Sequence, residues 1–190
     1  MQVNLEIHCA GIASVLTSIH KRALIERDED LYIRRTVSSA RSRVAPWALD
    51  MRRPLSCSRL LRPIASAMGD LLVEDSCNQI VGYGYGAYLL IGGILASNDE
   101  LVGGMLRSEK KQYGFRRLLE GAISQGSPVA LVDDLLSSGN SAIYAAGLLR
   151  RSGYDVTAVY TVFDFEWRAG RGRLNDLGLL HRSLGTLHKL

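Results

Sequence analysis

Val129-Ala-Leu-Val132 is an apolar run of strand length that ends abruptly in two adjacent carboxylates, Asp133 and Asp134. Such a run reads as a strand buried on both faces, the habit of parallel strands. Leu135 and Leu136 follow, then a loop of small residues, Ser137-Ser138-Gly139-Asn140-Ser141. Ala142, Ile143, Ala145, Ala146, Gly147 and Leu149 fit helical spacing, with Gly153 as the stop. The acids therefore stand at the carboxyl end of a strand, beside a loop that feeds a helix N-terminus, where open α/β sheets bind ligands. Loop N–H groups and the positive helix end favour a phosphate. Carboxylates would repel that phosphate, so their place here makes sense as acceptors for hydroxyls. Phosphate plus hydroxyls points to a ribose phosphate. Either half alone reads as a solvated acidic pair after a core strand; the whole order carries the stronger reading.

The rest of the chain repeats the pattern. Leu5, Ile12, Leu16 and Ile19 predict an N-terminal helix to about Ile25. Residues 31–44 are mixed and basic, a strand or loop pair, and residues 47–52 predict a short strand. Leu61, Ile64, Ala65, Met68, Leu71 and Leu72 predict an amphipathic helix with Pro63 in its first turn or bending it. Ile80-Val81 predicts a strand, followed by Gly82-Tyr-Gly-Tyr-Gly-Ala87 and a helix to about Ser97. A strand over residues 100–106 and a charged loop over 107–121 precede the acid motif. Beyond it come a strand at 156–162, a short helix within 170–178 and a last strand from Leu180. Strands alternating with helices imply a mostly parallel sheet covered on both faces.

At 190 residues the chain suits one domain. Its net charge of +4 points to anionic ligands and is too mild to argue for nucleic acid. Cys9, Cys57 and Cys77 lie far apart without metal-type spacing, which fits a reducing compartment. The longest apolar stretch, residues 87–96, is too short to span a bilayer, and the N-terminal residues make a poor signal peptide. A cytoplasmic location with no membrane partner is expected. The four histidines show no metal or catalytic spacing and read as surface or interface residues.

The stretch from Val129 to Ser141 resembles the phosphoribosyl-pyrophosphate (PRPP) motif of type I phosphoribosyltransferases. Beside it, the 82–87 loop looks like that family's pyrophosphate loop, with Tyr85, Gly86 and Ala87 at its turn; alone it reads equally as a tight turn packing tyrosines. Arg107-Ser-Glu-Lys-Lys111-Gln-Tyr-Gly114 followed by Leu119-Glu-Gly121 is similar to the lid of orotate phosphoribosyltransferases, though it also reads as a solvated face. Leu49-Asp50-Met51-Arg52 resembles the Tyr-Asp-x-Arg strand of those enzymes.

The resemblance implies the type I phosphoribosyltransferase fold, an α/β architecture with a central mostly parallel sheet flanked by helices and a small N-terminal hood. Residues 1–60 would form the N-terminal helix and hood, and residues 61–180 the PRPP-binding core. It implies transfer of the 5-phosphoribosyl group from PRPP to a nucleobase nitrogen, with Asp133, Asp134 and Lys111 in catalysis. Arg107, Lys111, Asp133, Asp134, Leu135, Leu136, Ser137, Ser138, Gly139, Asn140 and Ser141 would bind PRPP. A magnesium ion would be held mainly by the ligand, with no direct protein ligand, and a homodimer is implied. The chain departs from the family at Ser108, at Tyr113, at Gly86 where the loop lysine is missing, and at Phe165, which stands where an arginine holds orotate. An altered base pocket at Phe165 is therefore expected. The competing reading is a PRPP-binding regulatory protein without efficient transfer. A nucleic-acid-binding module rests only on the arginine-rich N-terminal part, and nucleic acid is not an expected partner.

Overall fold

A computed structural model of the chain describes residues 3–26, 47–107 and 118–189. Strand β1 (Val3–Ile7) opens it, and helix α1 (Ala13–Ala23) follows after a 3-10 turn at Ala10–Ile12. This corrects the single N-terminal helix expected from Leu5. Half-buried Leu5 and Ile7 alternate with exposed Asn4 and Glu6, a strand period, whereas buried Leu16, Ile19 and Ala23 keep helical spacing. Strands β2 (Leu24–Glu26) and β3 (Trp47–Leu49) pair antiparallel in a ladder of their own. Helix α2 (Arg52–Leu55) comes next. The segment 31–44 lies outside the described residues.

Helix α3 (Ser58–Glu74) starts earlier than the apolar spacing indicated, so Pro63 falls beyond its first turn. Strand β4 (Gln79–Tyr83) and helix α4 (Tyr85–Ser97) come as expected, then β5 (Val102–Leu106). Strand β6 (Leu119–Gly121) occupies part of the span expected as a loop, hydrogen-bonded antiparallel along β5. Strand β7 (Pro128–Leu136) runs through the two acids rather than stopping before them. Helix α5 (Asn140–Arg151), strand β8 (Asp155–Phe165), helix α6 (Gly170–Asn175) and strand β9 (Leu180–Lys189) complete the chain.

Seven strands form one sheet in the order β1-β9-β8-β7-β4-β5-β6. The five central strands are parallel, and both edges are antiparallel. Ala130, Val132, Ala158 and Tyr160 pack toward α1, α3 and α4. Val129, Leu131 and Val159 pack toward α5 and α6. Strands buried on both faces are why the sequence reads as continuous apolar runs rather than alternation. Among the described residues no helix is long and apolar enough to cross a membrane.

The strand order fixes where a ligand can bind. From β4 the chain steps outward to β5; from β7 it steps the opposite way, to β8 and β9. The winding reverses between β4 and β7, so the loops leaving their carboxyl ends part and open a crevice.

Candidate active site

Asp133 and Asp134 sit on β7 at that crevice, both half-buried. The Asp134 backbone N–H donates to Asp133 Oδ1 at 2.9 Å. Burial first, and then the neighbouring Asp134 charge, hold Asp133 well above the usual carboxylate range. Burial likewise raises Asp134. The buried Tyr83 hydroxyl beside Asp133 is pushed up as well, first by burial and then by the two acids. Two carboxylates that resist ionisation together are poised to accept hydroxyl protons or to face a cation.

Helix ends supply the opposite charge. Gly84, at φ +80°, precedes α4, and Gly139, at φ +75°, precedes α5; both take the left-handed region that glycine enters without strain. Neither helix has a side-chain cap or an acidic residue in its first turn. The first N–H groups of each are therefore open to an anion, apart from Asn140 N–H, which donates to Ser138 Oγ at 3.5 Å. The end of α4 lies against the acids: a Cβ on Gly86 would collide with the Asp134 carboxylate, and one on Gly84 would stand 4.0 Å from Asp133 Oδ1. A cavity of about 250 Å³ opens there, lined by Tyr83, Tyr85, Arg107, Asp133, Ser141 and Tyr144 among others.

Around the residues named from the sequence, the loop 137–141 forms the turn into α5. Ser138 and Asn140 are tied to α6, where Arg173 Nη1 donates to the Ser138 carbonyl and to Asn140 Oδ1 at 2.6 Å. Gly170 packs so closely on the Ser137 carbonyl that a Cβ would not fit. Leu136 is 2% exposed and turns into the core, so only its backbone can face a ligand, and Leu135 is half-buried against the core on the α1, α3 and α4 side. Tyr85 is 77% exposed at the mouth of the cavity, whereas Ala87 is fully buried. Arg107 lines the cavity and ion-pairs with Glu120 of β6 at 3.8 Å. Lys111, Ser108 and Tyr113 lie outside the described residues. Phe165 does not line this cavity; its ring stacks edge-on against Trp167 at 5.2 Å, at the end of β8.

Three tyrosines of the site were not singled out from the sequence. Tyr83, Tyr88 and Tyr144 line the cavity, and only their spacing around glycines and on the face of α5 hinted at it. Asp50 and Arg52 form a two-pronged ion pair, Nε to Oδ1 at 2.7 Å and Nη2 to Oδ2 at 3.0 Å, within electrostatic reach of Asp134. Arg173, not singled out from the sequence, holds the loop. Two histidines are half-buried: His20 meets Phe163 edge-on at 6.3 Å, and His181 Nε2 lies 3.0 Å from Thr161 Oγ1.

No family model matches the chain. It is 31% identical over 145 residues to uridine 5'-monophosphate synthase of Bos taurus, covering 75% of this chain and 30% of that protein. It is 32% identical over 152 residues to orotate phosphoribosyltransferase of Caenorhabditis elegans, covering 77% of this chain and 65% of that protein. The chain thus spans under a third of the bovine relative. Among solved structures, a phosphoribosyltransferase from Corynebacterium diphtheriae superposes with a TM-score of 0.76 at 22% identity, covering 93% of this chain and 95% of that one. Orotate phosphoribosyltransferase of Mycobacterium tuberculosis in complex with PRPP gives 0.68 at 21% identity, covering 90% and 86%.

Proposed function

We propose that this chain, which has the type I phosphoribosyltransferase fold and resembles the orotate phosphoribosyltransferases in sequence, moves the 5-phosphoribosyl group from PRPP to a nucleobase nitrogen. In that reaction the bond from the anomeric carbon to the pyrophosphate oxygen breaks, a bond to the base nitrogen forms, and pyrophosphate leaves. The observation that carries the reading is the half-buried acid pair between two helix N-termini without side-chain caps from their N-cap residues. Each part suits one part of PRPP. The N–H groups entering α5 take the 5-phosphate. Asp133 and Asp134 accept from the ribose hydroxyls and stabilise positive charge at the anomeric carbon. The end of α4 with Arg107, and Lys111 by resemblance, take the pyrophosphate.

Magnesium fits this donor set. Two adjacent carboxylates that burial keeps reluctant to ionise are relieved by a cation beside the hydroxyls they hold. Bound with PRPP, the ion would neutralise the pyrophosphate; Asp133 and Asp134 would meet it through the ligand. The base side is proposed to differ from that of orotate enzymes, because Phe165 packs on Trp167 and supplies no charge. A homodimer is proposed on the resemblance of the 107–121 segment alone.

The second reading, a PRPP-binding regulator, rests on Gly86. The loop lysine of the family has no counterpart there, and the Asp134 carboxylate fills the space its Cβ would need. Calorimetry with magnesium-PRPP tests the shared premise, and pyrophosphate release in the presence of bases separates the two readings. Binding is expected in the wild type and lost in Asp133→Asn with Asp134→Asn. Unchanged affinity in that double variant would overturn the assignment of the motif.

A further inference from the structure

A second cavity, about 310 Å³, lies at the other edge of the sheet, away from the acid pair. It follows from a step in strand length. β1 ends at Ile7 opposite Gly185, and His8 N–H still donates to the Leu184 carbonyl at 3.0 Å, so residues 180–183 of β9 are paired by β8 alone. His8 and Cys9 reach the step from the end of β1, Arg171 from α6, and His181, Arg182 and Ser183 from β9.

The lining is organised around two arginines, each held by carboxylates behind the wall, while burial lowers the His181 imidazole to about 4 and keeps it neutral. Asp164, 2% exposed, accepts from Arg171 Nη2 at 2.7 Å, from Ser183 Oγ at 2.9 Å and from Thr186 Oγ1 at 2.6 Å. Thr186 Oγ1 also lies 2.8 Å from His8 Nε2. Arg182 Nη1 donates to Asp75, and its Nη2 is 3.8 Å from Glu74. None of these three carboxylates lines the cavity; each grips a cation or hydroxyl from behind. Arg171 makes both its hydrogen bonds through Nη2, so its Nε and Nη1 have no partner among the described residues. Arg182 Nε is likewise unpaired there. His181 Nδ1 is the one buried side-chain nitrogen or oxygen among the described residues without a hydrogen-bond partner. Two guanidinium groups with unpartnered N–H groups and the open Nδ1 of His181, at a pocket with no acid in its wall, are recognition chemistry for an oxyanion.

We infer that this edge pocket binds a phosphate group, free or carried on a small metabolite, between Arg171 and Arg182 with His8 beside them. The inference does not depend on the transferase reading, since it uses none of the residues at the crevice.

The test follows the ring C–H resonances of the four histidines while inorganic phosphate is added. His8 and His181 should shift and saturate, while His20 and His188 stay still. Arg182→Gln should weaken that affinity roughly tenfold, the size of one lost charge-assisted contact. Arg182 is the better variant because Asp75 is less buried than Asp164, which Arg171→Gln would leave without its cation; still His20 and His188 resonances report an intact fold. A sugar monophosphate binding more tightly than inorganic phosphate would identify a metabolite as the occupant, and equal affinity would identify free phosphate. The shifts should persist in Asp133→Asn with Asp134→Asn, which separates this pocket from the crevice. Unmoved His8 and His181, all four histidines drifting together without saturation, or full affinity in Arg182→Gln would each overturn the inference.

Discussion

At the scale of single residues, the acid pair sets a conflict between stability and function. Folding raises the pKa of Asp133 and Asp134, chiefly by burial, so the folded chain holds protons more tightly than the unfolded one. The sign follows: their contribution is favourable below the ordinary carboxylate value and is lost as pH rises through the folded pKa. At neutral pH the pair therefore opposes folding. Asp133→Asn with Asp134→Asn should raise Tm at pH 7, by roughly 2–4 °C per 1 kcal/mol recovered in a domain of this size, while abolishing stabilisation by magnesium-PRPP. A thermal melt with and without ligand checks both halves. The same linkage predicts that PRPP binding releases protons. Affinity should fall as pH drops into the raised pKa range, and calorimetry in buffers of differing ionisation enthalpy should detect the release. Proton uptake instead would mean that the acids do not meet the ligand ionised. These two residues were legible in the sequence because a buried strand, paired carboxylates, a small-residue loop and a helix follow one another in a single local stretch. Tyr83 was not, because nothing local tells which tyrosine of a glycine-tyrosine repeat turns inward.

At the scale of elements, α6 is six residues long yet braces the loop into α5. Gly170 lies on the Ser137 carbonyl, and Arg173 bridges Ser138 and Asn140. Gly170→Ala should force backbone apart from backbone, costing about 1–3 kcal/mol as overpacking does, and weaken PRPP binding with it. Arg173→Ala is exposed and should scarcely change Tm, yet it should raise KM for PRPP by loosening the loop. Equal KM in wild type and Arg173→Ala would show that the loop holds its shape unaided. The sequence made α6 visible as a helix but not as a brace, because its partners lie 33 and 35 positions away. The N-terminal misreading has a similar cause. Leu5 fits a helical face with Ile12 and a strand face with Ile7, and pairing with β9, at the far end of the chain, decides for the strand. Central strands needed no such help, since burial on both faces marks them locally.

At the scale of the whole molecule, the sheet brings the end of β8 beside the acid motif. Leu135 pairs with Phe163 and Leu136 with Asp164, which puts Phe165 one step past the last paired residue of β7, level with the loop into α5. An incoming base must approach the anomeric carbon from some side of that crevice, and we propose the end of β8 as that side, beyond the cavity lining itself. Near that end Arg171 is held by Asp164 and Arg173 by the loop, and exposed Arg168 is proposed to stay in solvent. A bound carboxylate on the base would lack the charge-assisted, often bidentate contact that an arginine gives. Leaving it short of a partner costs about 1–3 kcal/mol, or roughly ten- to hundredfold in affinity. Orotate should therefore turn over weakly or not at all, whereas a base without a carboxylate escapes that loss and can stack on an aromatic wall. Loss of orotate absorbance at saturating magnesium-PRPP measures it, and Phe165→Arg should improve the rate. Efficient turnover by the wild type, with Phe165→Arg harmful, would mean that the orotate carboxylate is held from another side of the crevice and that the edge-on pair of Phe165 and Trp167 serves packing alone.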